Sequence, residues 1–157
     1  MPMTPLFGAA LLDPSLYIPE LKVRRKPFVL QELVELATRA GSVREPGVLC
    51  ATLKLRERLF GTGIGKGVAV PHARSIAVSE SRLVIARSRR GLSWDAADGI
   101  PVQHVLLVLS PAEMGDEAHL DFVTRVAGIG RLQRNRQRLL EATDYAAVAS
   151  LFAECAG

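Results

Sequence analysis

Apolar residues recur every three to four positions in two stretches of the first half of the chain. Each stretch begins at a proline, Pro27 in the first and Pro46 in the second, and proline is favoured in the first turn of a helix. Glycine follows each stretch, at Gly41 and Gly61, as expected where a helix ends. The pattern therefore predicts two helices, over 27–41 and 47–59. Their expected apolar stripes are Phe28, Leu33, Val34, Leu36 and Ala37, and then Val48, Leu49, Thr52, Leu53 and Leu59.

Three shorter apolar runs have the length and composition of strands. They are GVAV at 67–70, RLVIAR at 82–87 and VQHVLLVL at 102–109. The last is almost continuously apolar and lies between two prolines, which is typical of a strand covered on both faces. It is predicted to be the central strand.

Helical spacing returns in the last third of the chain. The segment that follows Asp116, expected to cap the helix, is predicted to be helical, with Gly128 and Gly130 weakening its end. Further helices are predicted over 136–141 and 145–155. The expected apolar face of the first of these helices consists of Leu120, Val123, Val126 and Ala127.

This order of helices, strands and helices predicts an α/β fold, with one mixed β-sheet flanked by helices on both faces. The chain has 157 residues, of which 48% are hydrophobic, so residues 1–157 are expected to form a single domain. Residues up to about Val23 are expected to be an irregular arm. The connectivity of the strands is left open.

The net charge of +4 arises from scattered arginines and three basic clusters, at 24–26, 87–90 and 131–138. Aromatic residues do not interleave with them, so we interpret the clusters as solvated faces and expect no nucleic-acid partner. Cys50 and Cys155 form no CxxC pair and are expected to be buried free thiols. The N-terminal segment is interrupted by prolines and lacks a basic leader, so we expect no membrane insertion and a cytoplasmic protein.

The segment GTGIGKGVAVPHAR, residues 61–74, has glycines and a lysine that suggest a phosphate-binding nucleotide loop. A Walker loop requires serine or threonine after Gly65-Lys66, where Gly67 stands. The dinucleotide motif requires a third glycine at position 66 or 68, and it follows a strand rather than a helix. Neither nucleotide motif is therefore present.

The sequence contains three histidines, His72, His104 and His119, without the spacing of a metal site, and it has no GxSxG turn. His72 follows Pro71 at the end of a predicted strand, next to glycines whose small size lets backbone N–H groups approach an anion. A neutral imidazole there can be a nucleophile toward phosphorus, with Arg56 and His119 as candidate stabilising groups. Taken alone, a histidine in this position is more often an ordinary loop histidine than a phosphorylated one, so the sequence context has to decide. His104 lies within the predicted central strand and is left out of the site.

The run LRERLFGTGIGKGVAVPHAR, residues 55–74, resembles the active-site signature of a known family. That family is the type 2 enzyme IIA (fructose/mannitol/nitrogen type) of the bacterial phosphoenolpyruvate-dependent phosphotransferase system. The similarity extends over about 11–153 and includes a second histidine, His119, at the start of a helix. Gly61, Phe60 and Gln103 depart from the residues common in that family.

The resemblance implies that His72 accepts a phosphoryl group from an HPr-like phosphocarrier protein, as a phosphotransferase with a phosphohistidine intermediate. His119 and Arg56 would line the same pocket. The expected phosphate environment adds Gly63, Gly65, Gly67 and Pro71, and no cofactor or metal is expected.

The sequence leaves open which functional type of the family this chain represents, the nitrogen-regulatory type or the sugar-transport type. A free-standing chain of this length is most similar to the nitrogen-regulatory type, whose partner is a regulatory target protein. The alternatives are a sugar-transport component that works with a IIB partner, and a non-catalytic interaction module. The oligomeric state is not predicted.

Overall fold

Five α-helices and six β-strands lie within residues 11–155, the part of the chain that this computed structural model describes. The helices are α1 (Lys26–Arg39), α2 (Pro46–Leu59), α3 (Asp116–Arg131), α4 (Gln133–Glu141) and α5 (Tyr145–Cys155). The strands are β1 (Tyr17–Ile18), β2 (Gly63–Gly65), β3 (Val68–Ala69), β4 (His72–Ser75), β5 (Arg82–Leu92) and β6 (Val102–Pro111). A single 3₁₀ turn, Pro14–Leu16, precedes β1.

The strands form one mixed sheet in the order β1-β5-β6-β3-β2, with β4 also paired to β6. β5 and β6 are antiparallel, whereas β1 is parallel to β5 and both β3 and β4 are parallel to β6. β3 and β4 follow one another along the same edge of β6, since Val68 lies opposite His104 and His72 lies opposite Val108. The strand predicted to be central, β6, therefore does occupy the centre of the sheet.

Helices cover both faces of the sheet, as predicted. Alternate residues of β6 point to opposite faces, so Leu107 packs with α1 and α2, and Leu106 packs with α3, α4 and α5. Burial of both faces explains why the sequence of β6 is almost continuously apolar. The first core includes Leu30, Leu33, Leu49, Leu53 and Val105, and the second includes Phe122, Val126, Val108, Leu139 and Leu151.

Three strands were not predicted, namely β1, β2 and β4. The segment expected to be an irregular arm contains β1, and residues 1–10 of that arm lie outside the described residues. These strands have two to four residues, and β4 reads HARS, so none shows an apolar alternation. β1 and β4 pair with the longer strands β5 and β6, and β2 forms a hairpin with β3.

The predicted helices exist, but four of their expected apolar positions are exposed: Phe28, Val48, Leu59 and Leu120. On α3 the inward positions next to Leu120 are His119 and Phe122 instead. Gly115 precedes this helix and Asp116 is its first residue, without a side-chain cap. These errors arise because periodicity alone locates a helical face only to within about one residue on either side.

The two glycines of α3 do not end the helix, which continues to Arg131. A Cβ atom added to Gly130 would lie 3.0 Å from Cγ1 of Val68. Gly130 therefore serves close packing of α3 against β3, a reason for glycine that only the tertiary structure reveals.

One arginine of the basic cluster 87–90 is buried rather than solvated, which corrects the prediction. Arg87 donates hydrogen bonds to the backbone oxygens of Leu139 (2.8 Å), Leu140 (3.2 Å) and Ala142 (2.8 Å) at the end of α4, and to that of Pro19 (2.9 Å). The last carbonyls of a helix have no partner within the helix, and a cation is favoured there. Arg87 thus anchors α4 and the segment after β1 to the sheet, while Arg89 and Arg90 are exposed.

The two cysteines are free, but they are not both buried. Cys50 is half-buried on α2, and Cys155 is exposed in the last turn of α5, which corrects the expectation for the second thiol. No helix among the described residues has the length and apolar character needed to cross a membrane.

Candidate functional site

His72 is the first residue of β4, directly after Pro71, so it lies within the sheet rather than just outside it as predicted. Proline has no N–H to contribute to a sheet, and the pairing with β6 is interrupted at Pro71, between β3 and β4. The backbone N–H of Val108 donates to the carbonyl oxygen of Pro71 at 3.0 Å and keeps the interrupted strand in register. The half-buried imidazole of His72 is therefore carried on a rigid element.

His119 lies in the first turn of α3 and faces His72 across the end of the sheet. The two rings interact through Nδ1 of His72 and Nε2 of His119, 3.1 Å apart, although the residues are 47 positions apart in sequence. His119 is buried, and its Nδ1 lies 2.7 Å from Oγ of Ser110. Ser110, His119 and His72 therefore form one hydrogen-bonded chain that ends at His72.

Arg56 lies in the last turn of α2, and its Nη1 is 3.5 Å from the backbone carbonyl oxygen of His72, to which it donates. The guanidinium is exposed beside the imidazole, with donors free for an anion. The structure therefore brings together the three side chains predicted to act, His72, His119 and Arg56.

Both histidines of the pair have a pKa below the ordinary value of 6.5. Burial lowers the pKa of His72, and the positive charge of Arg56 lowers it further. Burial also lowers the pKa of His119, to about 4, and the neighbouring His72 and Arg56 add to that shift. At neutral pH both imidazoles are therefore uncharged.

Ser110 was missed from the sequence, although it occupies a recognisable position. It is fully buried, follows the longest apolar run and immediately precedes Pro111. A polar residue at the end of a buried strand is a common place for functional side chains. Its role depends on the packing of α3 against β6, which brings His119 next to the Ser110 hydroxyl.

Arg74 was also missed from the sequence, and it contacts the segment that leads into α3, the helix of His119. Its Nη1 donates to the carbonyl oxygens of Ala112 (2.9 Å) and Met114 (3.2 Å), and its Nε lies 3.7 Å from the carboxylate of Asp116. These contacts hold the loop before α3 against β4. They also reach Asp116, the first residue of the helix turn that carries His119.

The loop between α2 and β2 is held by the buried carboxylate of Glu57. This carboxylate accepts hydrogen bonds from the backbone N–H of Thr62 (3.0 Å) and from its hydroxyl (2.5 Å), and Nζ of Lys26 lies 3.1 Å away. The backbone oxygen of Thr62 in turn accepts a hydrogen bond from the backbone N–H of Val70, which lies two residues before His72. The loop is thereby tied to the strand that carries the histidine.

The glycines predicted to surround a phosphate have turn and packing roles in the structure. Gly65, Lys66 and Gly67 have φ of +89°, +59° and +83° and make the tight turn between β2 and β3. A Cβ at Gly65 would contact the Asp98 carboxylate, and one at Gly67 would contact the backbone of Pro101. Gly63 packs against Ala96 and Trp94, so these three glycines serve the hairpin and its packing against 94–101.

A groove of about 710 Å³ runs beside the histidine pair, between α2 and α3. His72 and Arg56 lie in its wall together with Leu59 and Phe60, which are 63% and 75% exposed. Large exposed apolar side chains next to a reactive group are typical of a surface that binds another protein. The remaining lining is mostly Thr52, Leu55, Thr62, Ile64, Val70, Val123, Thr124, Ala127 and Arg131.

His104 lies outside this site, as predicted. It is buried in β6 opposite Arg87, and burial followed by the charges of Arg87 and Arg136 lowers its pKa to about 4. Across residues 11–155, no group of three or more histidine, cysteine, aspartate or glutamate side chains is arranged to hold a metal ion.

The mixed sheet with helices on both faces is an enzyme IIA fold. A solved nitrogen regulatory protein IIA-Ntr from Neisseria meningitidis has a TM-score of 0.81 at 27% identity, covering 90% of this chain and 96% of that one. The IIA partner in a complex of enzyme IIAMTL with phosphorylated enzyme IIBMTL from Escherichia coli has a TM-score of 0.78 at 19% identity, covering 91% and 97%.

The family model described as phosphoenolpyruvate-dependent sugar phosphotransferase system, EIIA 2, matches residues 10–155. The chain therefore belongs to the EIIA 2 family of the phosphotransferase system, and the resemblance seen in the sequence is confirmed.

Relatives from both branches of the family are similar to this chain. A nitrogen regulatory protein of Bradyrhizobium diazoefficiens is 34% identical over 91% of this chain and 92% of its own length. A fructose-specific EIIA component of Haloferax volcanii is 33% identical over 82% and 83%. The chain spans only 20% of the length of the fructose-specific EIIABC component of Bacillus subtilis, to which it is 27% identical.

Proposed function

We propose that this protein is a phosphocarrier that accepts a phosphoryl group on His72 from an HPr-like phosphocarrier protein. A downstream partner then binds it according to its phosphorylation state or receives the phosphoryl group. The observation that supports this most directly is the hydrogen-bonded pair of neutral imidazoles, with His72 at its accessible end beside Arg56. A phosphotransferase with a covalent intermediate requires an unprotonated nitrogen on a fixed, reachable side chain.

The direction of the hydrogen-bond chain selects the reactive nitrogen. A neutral imidazole carries one N–H, so His119 donates with one nitrogen and accepts with the other. If Nδ1 of His119 donates to Ser110, its Nε2 accepts from Nδ1–H of His72, and Nε2 of His72 keeps a free lone pair. In the reverse direction Nδ1 of His72 accepts the hydrogen bond, so the hydrogen of His72 lies on Nε2 and leaves that nitrogen without a lone pair for attack. The first direction is therefore the one in which Nε2 of His72 can react.

Transfer is then an in-line displacement at phosphorus. The lone pair of Nε2 on His72 forms the new N–P bond, and the N–P bond of the carrier's phosphohistidine breaks, with its electron pair returning to the carrier's nitrogen. The loose transition state of phosphoryl transfer asks mainly for positioning and charge stabilisation. His119 holds the ring of His72 in place and stabilises the positive charge that develops on it.

Arg56 supplies the cation for the transferred group. Its guanidinium lies beside His72 and can donate to phosphoryl oxygens, which is a strong, charge-assisted interaction. The carrier delivers an already activated phosphoryl group, so the proposed step uses neither a nucleotide nor a metal.

The groove next to His72 is the proposed docking surface for the phosphocarrier and for the downstream partner. Exposed Leu59 and Phe60 offer apolar contact area, and Arg56 and Arg131 offer charge. The downstream partner is a regulatory target protein or a IIB component, since one solved relative is in complex with a phosphorylated IIB. We place the protein in the cytoplasm, where the carrier acts.

We favour the regulatory, nitrogen-type branch over the sugar-transport branch. The match to the nitrogen regulatory protein extends over more of both chains than the match to the fructose-specific component. The sugar-transport function remains the second candidate because the identities to the two relatives are nearly equal.

The function is tested by incubating the protein with phosphoenolpyruvate, enzyme I and a phosphocarrier protein, and measuring its intact mass. We expect a gain of one phosphoryl group that is lost in acid and retained in base, as is typical of phosphohistidine. Omission of the phosphocarrier is the control and should leave the mass unchanged. A chain that gains no mass with a carrier that phosphorylates another IIA would be the non-catalytic interaction module instead.

Replacing Arg56 by methionine is expected to raise the pKa of His72. In the native protein burial and the Arg56 charge both lower this pKa, so His72 stays neutral as the pH falls through 6.5. Without the charge, only burial remains, and the titration midpoint should move up toward 6.5. The measurement is an NMR titration of the imidazole resonances, with the His72 signal assigned from His72→Gln.

Lys54→Met is the matched control, since Lys54 is a cation of the same helix that lies in a different cavity. The midpoint of His72 should not move in this variant. Equal midpoints for native protein and Arg56→Met would show that Arg56 has no electrostatic effect on the nucleophile.

A further inference from the structure

A second cavity, of about 1120 Å³, lies next to the active-site groove on a neighbouring face of α2. It is an open pocket bordered by the start of α1, by α2 and by the segment 93–95 that follows β5. Leu55 and Gly61 line both cavities, so one turn of α2 separates this α1–α2 pocket from the groove that contains His72. Nothing in the proposed transfer step uses this pocket.

The charged side chains of the α1–α2 pocket are mostly cationic. Its lining includes five cations, from the segment 24–26 and from α2, and two acids, Glu57 and Asp95. Glu57 is buried and already bonded to Lys26 and Thr62. The pocket therefore presents an excess of positive charge, which a concave surface concentrates. The cations are Arg24, Arg25, Lys26, Lys54 and Arg58.

The pocket also has an apolar wall. Pro27 and Leu30 of α1 face Ala51 and Leu55 of α2, and Leu55 is 48% exposed. Sites for small ligands are concave and combine such apolar walls with a few convergent polar groups. A ligand that suits this lining carries a negative charge at one end and an apolar part at the other.

We propose that the α1–α2 pocket binds a small phosphorylated metabolite of nucleotide size. Arginine guanidinium groups bind phosphate oxygens in a two-pronged fashion, and lysine adds a mobile point charge, so Arg25, Arg58 and Lys54 suit the phosphate groups. The apolar wall suits a ring or chain attached to them. This site is distinct from the glycine turn at 63–67, which lacks both nucleotide motifs.

The pocket is connected to the active site through a chain of side chains. Lys26 lines the pocket and contacts Glu57, which holds Thr62, and the backbone oxygen of Thr62 accepts from Val70 next to Pro71 and His72. Nζ of Lys26 also lies 5.2 Å from the ring centroid of Trp94, whose Nε1 donates to Thr62. Trp94 is the sole tryptophan of the sequence, so its fluorescence reports changes at Lys26.

The test is a binding titration of the full chain with ADP, pyrophosphate and adenosine, followed by Trp94 fluorescence and by calorimetry. We expect ADP to bind with a Kd below about 1 mM. Pyrophosphate should bind at least threefold more weakly, and adenosine at least tenfold more weakly. Binding should persist in His72→Ala, so the result does not depend on whether the protein transfers phosphate.

The double variant Lys54→Glu/Arg58→Glu should weaken ADP binding at least tenfold. Arg125→Glu/Arg134→Glu is its charge-matched control, because both arginines are exposed on α3 and α4, and it should change the Kd less than twofold. Equal loss in the two double variants would indicate nonspecific charge attraction and overturn the proposal. So would the absence of ADP binding at millimolar concentration, or tighter binding of a hexaglutamate peptide, which would mark an acidic protein partner.

Discussion

His72→Ala should abolish phosphorylation by a phosphorylated carrier, with labelling reduced by more than about 10³-fold. The alanine removes the only imidazole nitrogen in the groove that is both accessible and held by a neighbour, since the buried His119 presents its Nε2 to His72. The measurement is intact mass with phosphoenolpyruvate, enzyme I and carrier. The fold should persist, because His72 is half-buried and is the first residue of the short strand β4.

Two further variants separate the nucleophile from its surroundings. Thr143→Ala changes an exposed threonine between α4 and α5, outside the groove, and should be phosphorylated at the native rate. His119→Ala should still gain one phosphoryl group, on His72 and more slowly, because the ring of His72 loses its partner. Persistent labelling of His72→Ala would refute the assignment, and the position of the label would then identify the true acceptor.

Arg87→Met should lower the free energy of unfolding by about 3 kcal/mol, the largest stability effect expected here. Its guanidinium donates to four backbone oxygens, at the end of α4 and at Pro19. Methionine fills a similar volume but leaves these carbonyls without their donor in a buried setting. A chain of this length should then melt lower by roughly 6–12 °C, which thermal unfolding followed by circular dichroism will measure.

Arg90→Met is the matched control, since Arg90 lies three residues away in the same basic cluster and is exposed. Its free energy of unfolding should change by no more than about 0.5 kcal/mol. Arg87→Lys should fall between the two, because one ammonium cannot reach all four oxygens with the geometry of a guanidinium. If Arg87→Met and Arg90→Met are equally stable, the hydrogen bonds of Arg87 do not stabilise α4.

The contrast between Arg87 and Arg90 shows how far the sequence leads. A run of arginines in a sequence most often lies on a solvent-exposed face, so the sequence predicts exposure for every arginine of the run. Which arginine points inward depends on the tertiary structure. Arg87 is buried because the end of α4, 52 positions away in sequence, packs next to it and offers it carbonyl oxygens. The same limit applies to Ser110, which became part of the site only when α3 packed over β6.

The sequence by itself determined the helices, the long strands and the identity of the central strand. These elements have enough apolar residues at a regular spacing for local pattern to decide them, and a motif of consecutive residues was enough to single out His72. The tertiary structure alone decided the short strands β1, β2 and β4, the turn role of Gly65 and Gly67, and the chain from Ser110 through His119 to His72. Those features depend on pairings between residues far apart in sequence, whose distances no local periodicity encodes.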